Sequence, residues 1–274
     1  MTLPTDHALA RIPLIGRDDP TPFVVLEEHG AAPALIVCDH ASRAIPRVLD
    51  RLGLPELGSW QHIAWDIGAG ELARGLSHAL DAPAVLAGYS RLVVDCNRSP
   101  DDLEAFRTES DGWEVPGNRR LSELDRRVRL GSFFDPYHEC IAALLHGFRA
   151  RAIVPLLIAV HSFAPRLGRL SDEDRPWHVG VLWDQDEANA RRLLALLRAE
   201  KGLVVGDNEP YSGKHPANYT IDHHARPARL PHVCIEVRQD LLDSPGGVER
   251  WVRLLRRALK PLLETGVRPQ LRIS

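Results

Sequence analysis

Apolar and polar positions along this chain switch repeatedly between two periods. Short continuous apolar runs rich in β-branched residues occur at 34–38, 84–87, 153–160, 179–183 and 232–235, each bounded by proline, glycine or charge. Runs of that kind predict strands buried on both faces. Residues 23–26 predict a short edge strand, 92–95 a further strand after the turn Gly88-Tyr89-Ser90-Arg91, and 203–205 a short one. Between them the spacing changes to that of helices. Leu72, Leu76 and Leu80 share one face, and 186–201 form an amphipathic stretch closed by Gly202. A long helical pattern over 121–151 carries Leu124, Val128, Phe133, Ile141, Leu144 and Phe148 and is bent or divided at Asp135-Pro136. The last helix, 247–265, presents Trp251, Leu254, Leu255, Leu259 and Leu262 to one face of a sheet. Strands alternate with helices throughout, without an internal repeat. The pattern predicts a single α/β domain over residues 1–274, with a mixed central sheet flanked by helices and an irregular lead-in over 1–20.

Composition narrows the classes. The chain has 274 residues, 44% hydrophobic and 26% charged, which suits a folded domain with a substantial core and excludes a fibrous or disordered chain. A formal charge of -3 and a pI near 6.5 leave no electrostatic footprint for nucleic acid or an anionic membrane. No apolar run reaches the length of a membrane span, and the first residues lack a basic segment followed by an apolar core. Cys38, Cys96, Cys140 and Cys234 are far apart, have no CxxC spacing and sit mostly in apolar runs, the usage expected of buried thiols in a reducing cytoplasm.

Chemistry-bearing residues gather at the ends of the apolar strands. The run 153–160 stops on His161, 34–38 runs into Asp39-His40, and 232–235 runs into Glu236. The carboxyl ends of strands are where open α/β sheets place their ligands. Two imidazoles and a carboxylate there are the material of a mononuclear metal hydrolase, while each taken alone could simply cap its strand. Asp66, just before the helical pattern of Leu72, Leu76 and Leu80, is either a helix-start charge or an oxygen ligand to the same metal. Arg91, Asn97 and Arg98 offer planar forks and an amide suited to an acidic substrate, or are solvated residues paired with Asp95, Asp101 or Asp102. Arg166 is a further candidate anion contact, and the turn-rich 206–213 segment presents Asn208 and Tyr211 as substrate contacts. Residues 101–118, polar and broken by Gly112, Pro116 and Gly117, fit a long functional loop or lid. His138 and His146 read as surface or helix-packing histidines, and at most one of His223 and His224 faces a site. A serine or cysteine hydrolase is disfavoured, because there is no Gly-x-Ser-x-Gly turn and the thiols lie in apolar surroundings.

The ordered set Asp39-His40-Ala41-Ser42-Arg43-Ala44-Ile45-Pro46, Trp65-Asp66-Ile67-Gly68-Ala69, Tyr89 to Arg98, His161-Ser162-Phe163 and Glu236 to Asp240 resembles the N-formylglutamate amidohydrolase family over about residues 20–265. The resemblance implies a phosphorylase/hydrolase-like fold, similar to the zinc carboxypeptidases, and a zinc-dependent enzyme that cleaves a linear amide in a small acidic N-acyl amino acid such as N-formylglutamate. It further implies one Zn²⁺ per chain, His40 and His161 as ligands and Glu236 as general base. A carboxypeptidase-like His-x-x-Glu would require a carboxylate where Arg43 stands, and many family members have His where Asp66 follows Trp65. Asp66 is therefore the expected third ligand. Two other expectations remain open: hydrolysis of a different N-acyl amino acid or small peptide amide, and a non-catalytic metabolite binder on the same fold.

Overall fold

The computed structural model describes residues 14–55, 61–166, 174–216 and 218–265. Most of the expected lead-in, 1–13, lies outside the described residues. The strands are β1 (Phe23–Leu26), β2 (Ala34–Cys38), β3 (Ala84–Ala87), β4 (Glu109–Ser110), β5 (Trp113–Glu114), β6 (Leu156–Phe163), β7 (Val179–Leu182), β8 (Val205–Asp207) and β9 (His232–Arg238). The helices are α1 (Gln61–Ala64), α2 (Ala69–Leu80), α3 (Glu123–Arg129), α4 (Asp135–Ala150), α5 (Glu187–Arg198), α6 (Tyr219–His224) and α7 (Pro245–Thr265). Seven strands form one sheet in the order β1-β3-β2-β6-β9-β7-β8, and β4 and β5 make a separate small hairpin. The four central strands run parallel, β1 and β7 are antiparallel to their inner neighbours, and β8 follows β7. This is the mixed sheet expected. No helix among the described residues is long and apolar enough to cross a membrane.

Strand alternation sorts the core into two layers. Ile36, Ile158, Val160, Val233 and Ile235 face α2, α5 and α7, where Leu72, Leu193, Trp251 and Leu255 cover them. Leu35, Val37, Leu157, Ala159 and Cys234 face the other way, against Tyr137, Ile141 and Phe148 of α4. Continuing that second register past the apolar residues brings Asp39, His161 and Glu236 to the α4 side of the sheet at one end. His161 and Glu236 are direct register partners on adjacent parallel strands.

Three local expectations change. Residues 92–95 are not a strand: Leu92, Val93 and Val94 are buried, but their backbone runs through a turn. Side chains satisfy it instead, with Asn118 Nδ2 donating to Leu92 O (2.9 Å) and Arg129 Nη1 to Val93 O (3.1 Å). The 121–151 helix is divided as expected near Pro136, through a wide π turn over Leu130–Phe134. The 203–205 strand is shifted to Val205–Asp207. The 101–118 segment is packed into the core through Ala105, Phe106 and Val115 and is tied to Asp95 by its backbone.

The loop after β8 is held against the sheet. Asn208 Oδ1 accepts from Trp183 N (2.8 Å) and Gly213 N (3.0 Å), so Asn208 staples the loop instead of meeting a ligand. Gly180, opposite Glu236 in register, leaves room for that loop, because a Cβ there would overlap the Glu209 carbonyl oxygen. Gly180→Ala is expected to destabilise the protein by about 1–3 kcal/mol, read as a lower urea midpoint. An unchanged midpoint would mean the loop moves away freely.

Candidate active site

His40 follows β2 by two residues, His161 lies in β6 and Glu236 in β9, so three neighbouring strands deliver them to one end of the sheet. Asp66 arrives from the turn between α1 and α2, whose backbone is fixed by Asp66 N donating to His40 O (3.0 Å). The N-cap of α2 is Gly68 in a left-handed conformation, so the Asp66 side chain is not the cap. It points instead to the imidazoles: its Oδ2 lies 2.8 Å from His161 Nδ1 and 3.3 Å from His40 Nδ1.

The far nitrogen of each ring meets another buried carboxylate. His40 Nε2 is 2.7 Å from Asp95 Oδ1, and His161 Nε2 is 3.2 Å from Asp39 Oδ2, the latter close in charge but out of line for a hydrogen bond. Asp39 is held in turn by Tyr137 Oη (2.9 Å) and Thr220 Oγ1 (2.6 Å), both donating to its Oδ1. Asp95 accepts from Asn97 N (2.9 Å) and from Arg91 Nε (3.1 Å) and Nη2 (2.8 Å). A carboxylate beside Nε2 orients the ring so that Nδ1 faces inward, the arrangement that presents histidine to a metal.

The electrostatics agree with a cation site. Three buried carboxylates, Asp39, Asp66 and Asp95, contact the two imidazoles, and among the described residues Arg91 is the guanidinium in ion-pair range of two of them. Burial disfavours charge on Asp66, but His40 and His161 outweigh it and hold its carboxyl well below the usual range. Asp39 is likewise held at about 2, where burial is outweighed by its contacts with His161 and His40 and by the Thr220 hydrogen bond. Burial would keep His161 neutral, yet Asp39 and Asp66 raise its pKa, which marks a field that favours positive charge between the rings. His40, Asp66 and His161 each offer one ligand atom, all within 4.8 Å of one another. Two nitrogens and one carboxylate oxygen suit a transition metal such as zinc.

Glu236 stands beside this group, 7% exposed, with Oε2 lacking a hydrogen-bond partner among the described residues. Burial, reinforced by Asp66, pushes its pKa up to about 7 against the pull of His161, His40 and Arg91. The group opens into a cavity of about 260 Å³, small enough to enclose an amino-acid-sized ligand. Arg91, Asn97, Arg98 and Tyr211 are among the residues that line it. Tyr211 is fixed there by Arg175, whose Nη1 donates to its hydroxyl (2.8 Å).

Arg166 does not join them. It is exposed and pairs with Asp174 at 2.7 Å, because the chain has already left the cavity three residues after β6 ends. His138, expected as a surface or packing residue, is buried. Its Nε2 donates to Cys96 O (2.9 Å) and its Nδ1 lies 2.9 Å from His224 Nε2, a neutral pair that braces the backbone next to Asp95. The pattern had not singled out Asp39, Asp95 or Arg107, the last a further cavity residue. Asp39 and Asp95 adjoin motif residues and could have been tested as ring partners, but nothing in the sequence marks Arg107.

Comparison with known proteins follows the same lines. The family model described as N-formylglutamate amidohydrolase matches residues 32–242. An N-formylglutamate deformylase of Pseudomonas aeruginosa is 28% identical over 228 residues, covering 77% of this chain and 82% of that protein. The crystal structure of a gene product from Agrobacterium tumefaciens superposes with a TM-score of 0.86 at 30% identity, covering 92% of this chain and 98% of that one. An N-formylglutamate amidohydrolase from Ralstonia eutropha shares the fold, with a TM-score of 0.66 at 21% identity, covering 90% of this chain and all of that one.

Asp95→Asn separates the roles of the carboxylates. One amide oxygen cannot accept from both His40 and Arg91, and its NH₂ would meet a donor. With zinc as the probe ion, affinity is expected to fall about 10- to 100-fold, read by competition with a chromogenic chelator. Unchanged affinity would remove Asp95 from orienting His40.

Proposed function

The chain belongs to the N-formylglutamate amidohydrolase family, and from that premise we propose that it hydrolyses the formyl amide of N-formylglutamate to formate and glutamate, with zinc held by His40, Asp66 and His161. The observation that carries this reading is the convergence of two imidazole nitrogens and one carboxylate oxygen beside a buried glutamate whose pKa is pushed up to about 7. Bound there, zinc supplies a Lewis acid that polarises the amide carbonyl and acidifies water.

The chain's own residues carry the proton transfers. Glu236, with a pKa near neutrality, takes the proton of the attacking water and delivers it to the leaving nitrogen, the two halves of general base and general acid work. Asp95 holds the His40 proton on Nε2, so that ligand ring does not compete with Glu236 for the proton of water. Arg91, anchored by Asp95 and 3.6 Å from Asp66, is the guanidinium nearest the reacting centre and stabilises the oxyanion that develops on the formyl oxygen. Asn97 and Arg98 receive the α-carboxylate, and Tyr211 encloses the substrate with them. A cavity of about 260 Å³ limits the reaction to small amides.

The test is formate release from N-formylglutamate, measured by a coupled formate dehydrogenase assay. Wild-type protein loaded with zinc is expected to release formate, whereas Glu236→Gln is expected to keep its metal and lose at least about 100-fold in turnover. Near-normal turnover in Glu236→Gln would remove Glu236 as the base. No formate release from the wild type would contradict the substrate.

A further inference from the structure

The arginines of the cavity wall are unequally compensated. Arg91 is held by Asp95 through two nitrogens and lies 3.6 Å from Asp66, so its charge is matched within the protein. Arg107 lines the same cavity with its side chain 20% exposed. Its nearest acid, Glu104, is 3.0 Å from Nε but out of line for a hydrogen bond, and is itself 59% exposed, where water weakens the attraction. A half-buried guanidinium beside others of its own kind, compensated only by an exposed carboxylate, favours a further anion. Burial and repulsion from Arg91 and Arg98 together lower the Arg107 pKa, against the pull of Asp95 and Glu104.

Arg107 is also pre-positioned. Its carbonyl accepts from Asn118 Nδ2 (2.8 Å), and Ala105 O accepts from Asp95 N (2.9 Å), so the segment is fixed to the residue that orients His40. Its segment is anchored at Asp95, and among the described residues its ion pair is with Glu104 and not with His40, Asp66, His161 or Glu236. The charges that act most on Glu236 are His161, Asp66, His40 and Arg91, whereas those on Arg107 are Arg91, Asp95, Glu104 and Arg98. In an N-formyl dicarboxylic amino acid the α-carboxylate is attached one carbon from the amide nitrogen, and the side-chain carboxylate extends further. The more distant anion therefore meets the more distant guanidinium.

We propose that Arg107 is the specificity-determining residue of the site and binds the side-chain carboxylate of an N-formyl dicarboxylic amino acid; this rests on the hydrolase reading above. A site built around that contact rejects the uncharged isostere, because an analogue without the charge leaves the half-buried guanidinium with only the solvent-exposed Glu104 as partner.

The experiment compares kcat/KM for N-formylglutamate and N-formylglutamine in the wild type, Arg107→Gln and Arg107→Lys. The wild type is expected to prefer the acid by at least about 100-fold. Arg107→Gln should lose most of that preference through a fall on the acid alone, and Arg107→Lys should recover part of it, since it restores the charge without the fork. An equal fall on both substrates, or an undiminished preference for the acid, would overturn the assignment. Calorimetric titration with glutarate tests the same contact without turnover. Glutarate is expected to bind the wild type at least about tenfold more tightly than Arg107→Gln, and equal binding would overturn the proposal. Failure of the wild type to release formate from either substrate would count against the hydrolase reading, while the glutarate result would still decide whether Arg107 binds the anion.

Discussion

The arrangement depends on one electrostatic constraint: two buried imidazoles whose outer nitrogens are taken by carboxylates. Asp95 and Asp39 fix the Nε2 sides of His40 and His161, and only then do both Nδ1 atoms face Asp66. Each of these carboxylates would be costly to bury alone. Together, with Tyr137 and Thr220 on Asp39 and with Arg91 and Asn97 on Asp95, they form a network in which the remaining imbalance is negative and centred between the rings. That imbalance favours a cation there. Glu236, one strand away from His161 in exact register, is raised toward neutrality by burial and by Asp66.

The sheet makes this possible because its central strands are parallel. β2, β6 and β9 end on the same side, so His40, His161 and Glu236, which are 75 to 196 positions apart in sequence, meet without any local motif. The face toward α4 carries most of the chemistry, and the face toward α7 is packed with apolar side chains, with Trp251 and Leu255 closing it. The rigidity of one layer thus supports the polar density of the other.

Much of this was legible in the chain. Continuous apolar runs that stop on Asp39-His40, His161 and Glu236 identify strands and the end at which a ligand would gather, because burial on both faces and an abrupt polar stop are local properties. The run 92–94 shows the limit of that reasoning. It is as apolar as a strand, but Asn118 and Arg129 satisfy its backbone, and both belong to distant segments. Arg166 looked as suitable as Arg91 by residue type, yet one faces Asp174 at the surface and the other Asp95 in the interior. Arg107 was missed because it reaches the cavity only through packing of the 103–118 segment against Leu92 and Asp95.

The most direct measurement of the central claim is metal content. Protein purified without chelators, and its His161→Ala variant, would be analysed by elemental mass spectrometry. The account predicts about one zinc ion per chain in the wild type and its loss in the variant. Wild-type protein that is metal-free and takes up no zinc when it is supplied would contradict it.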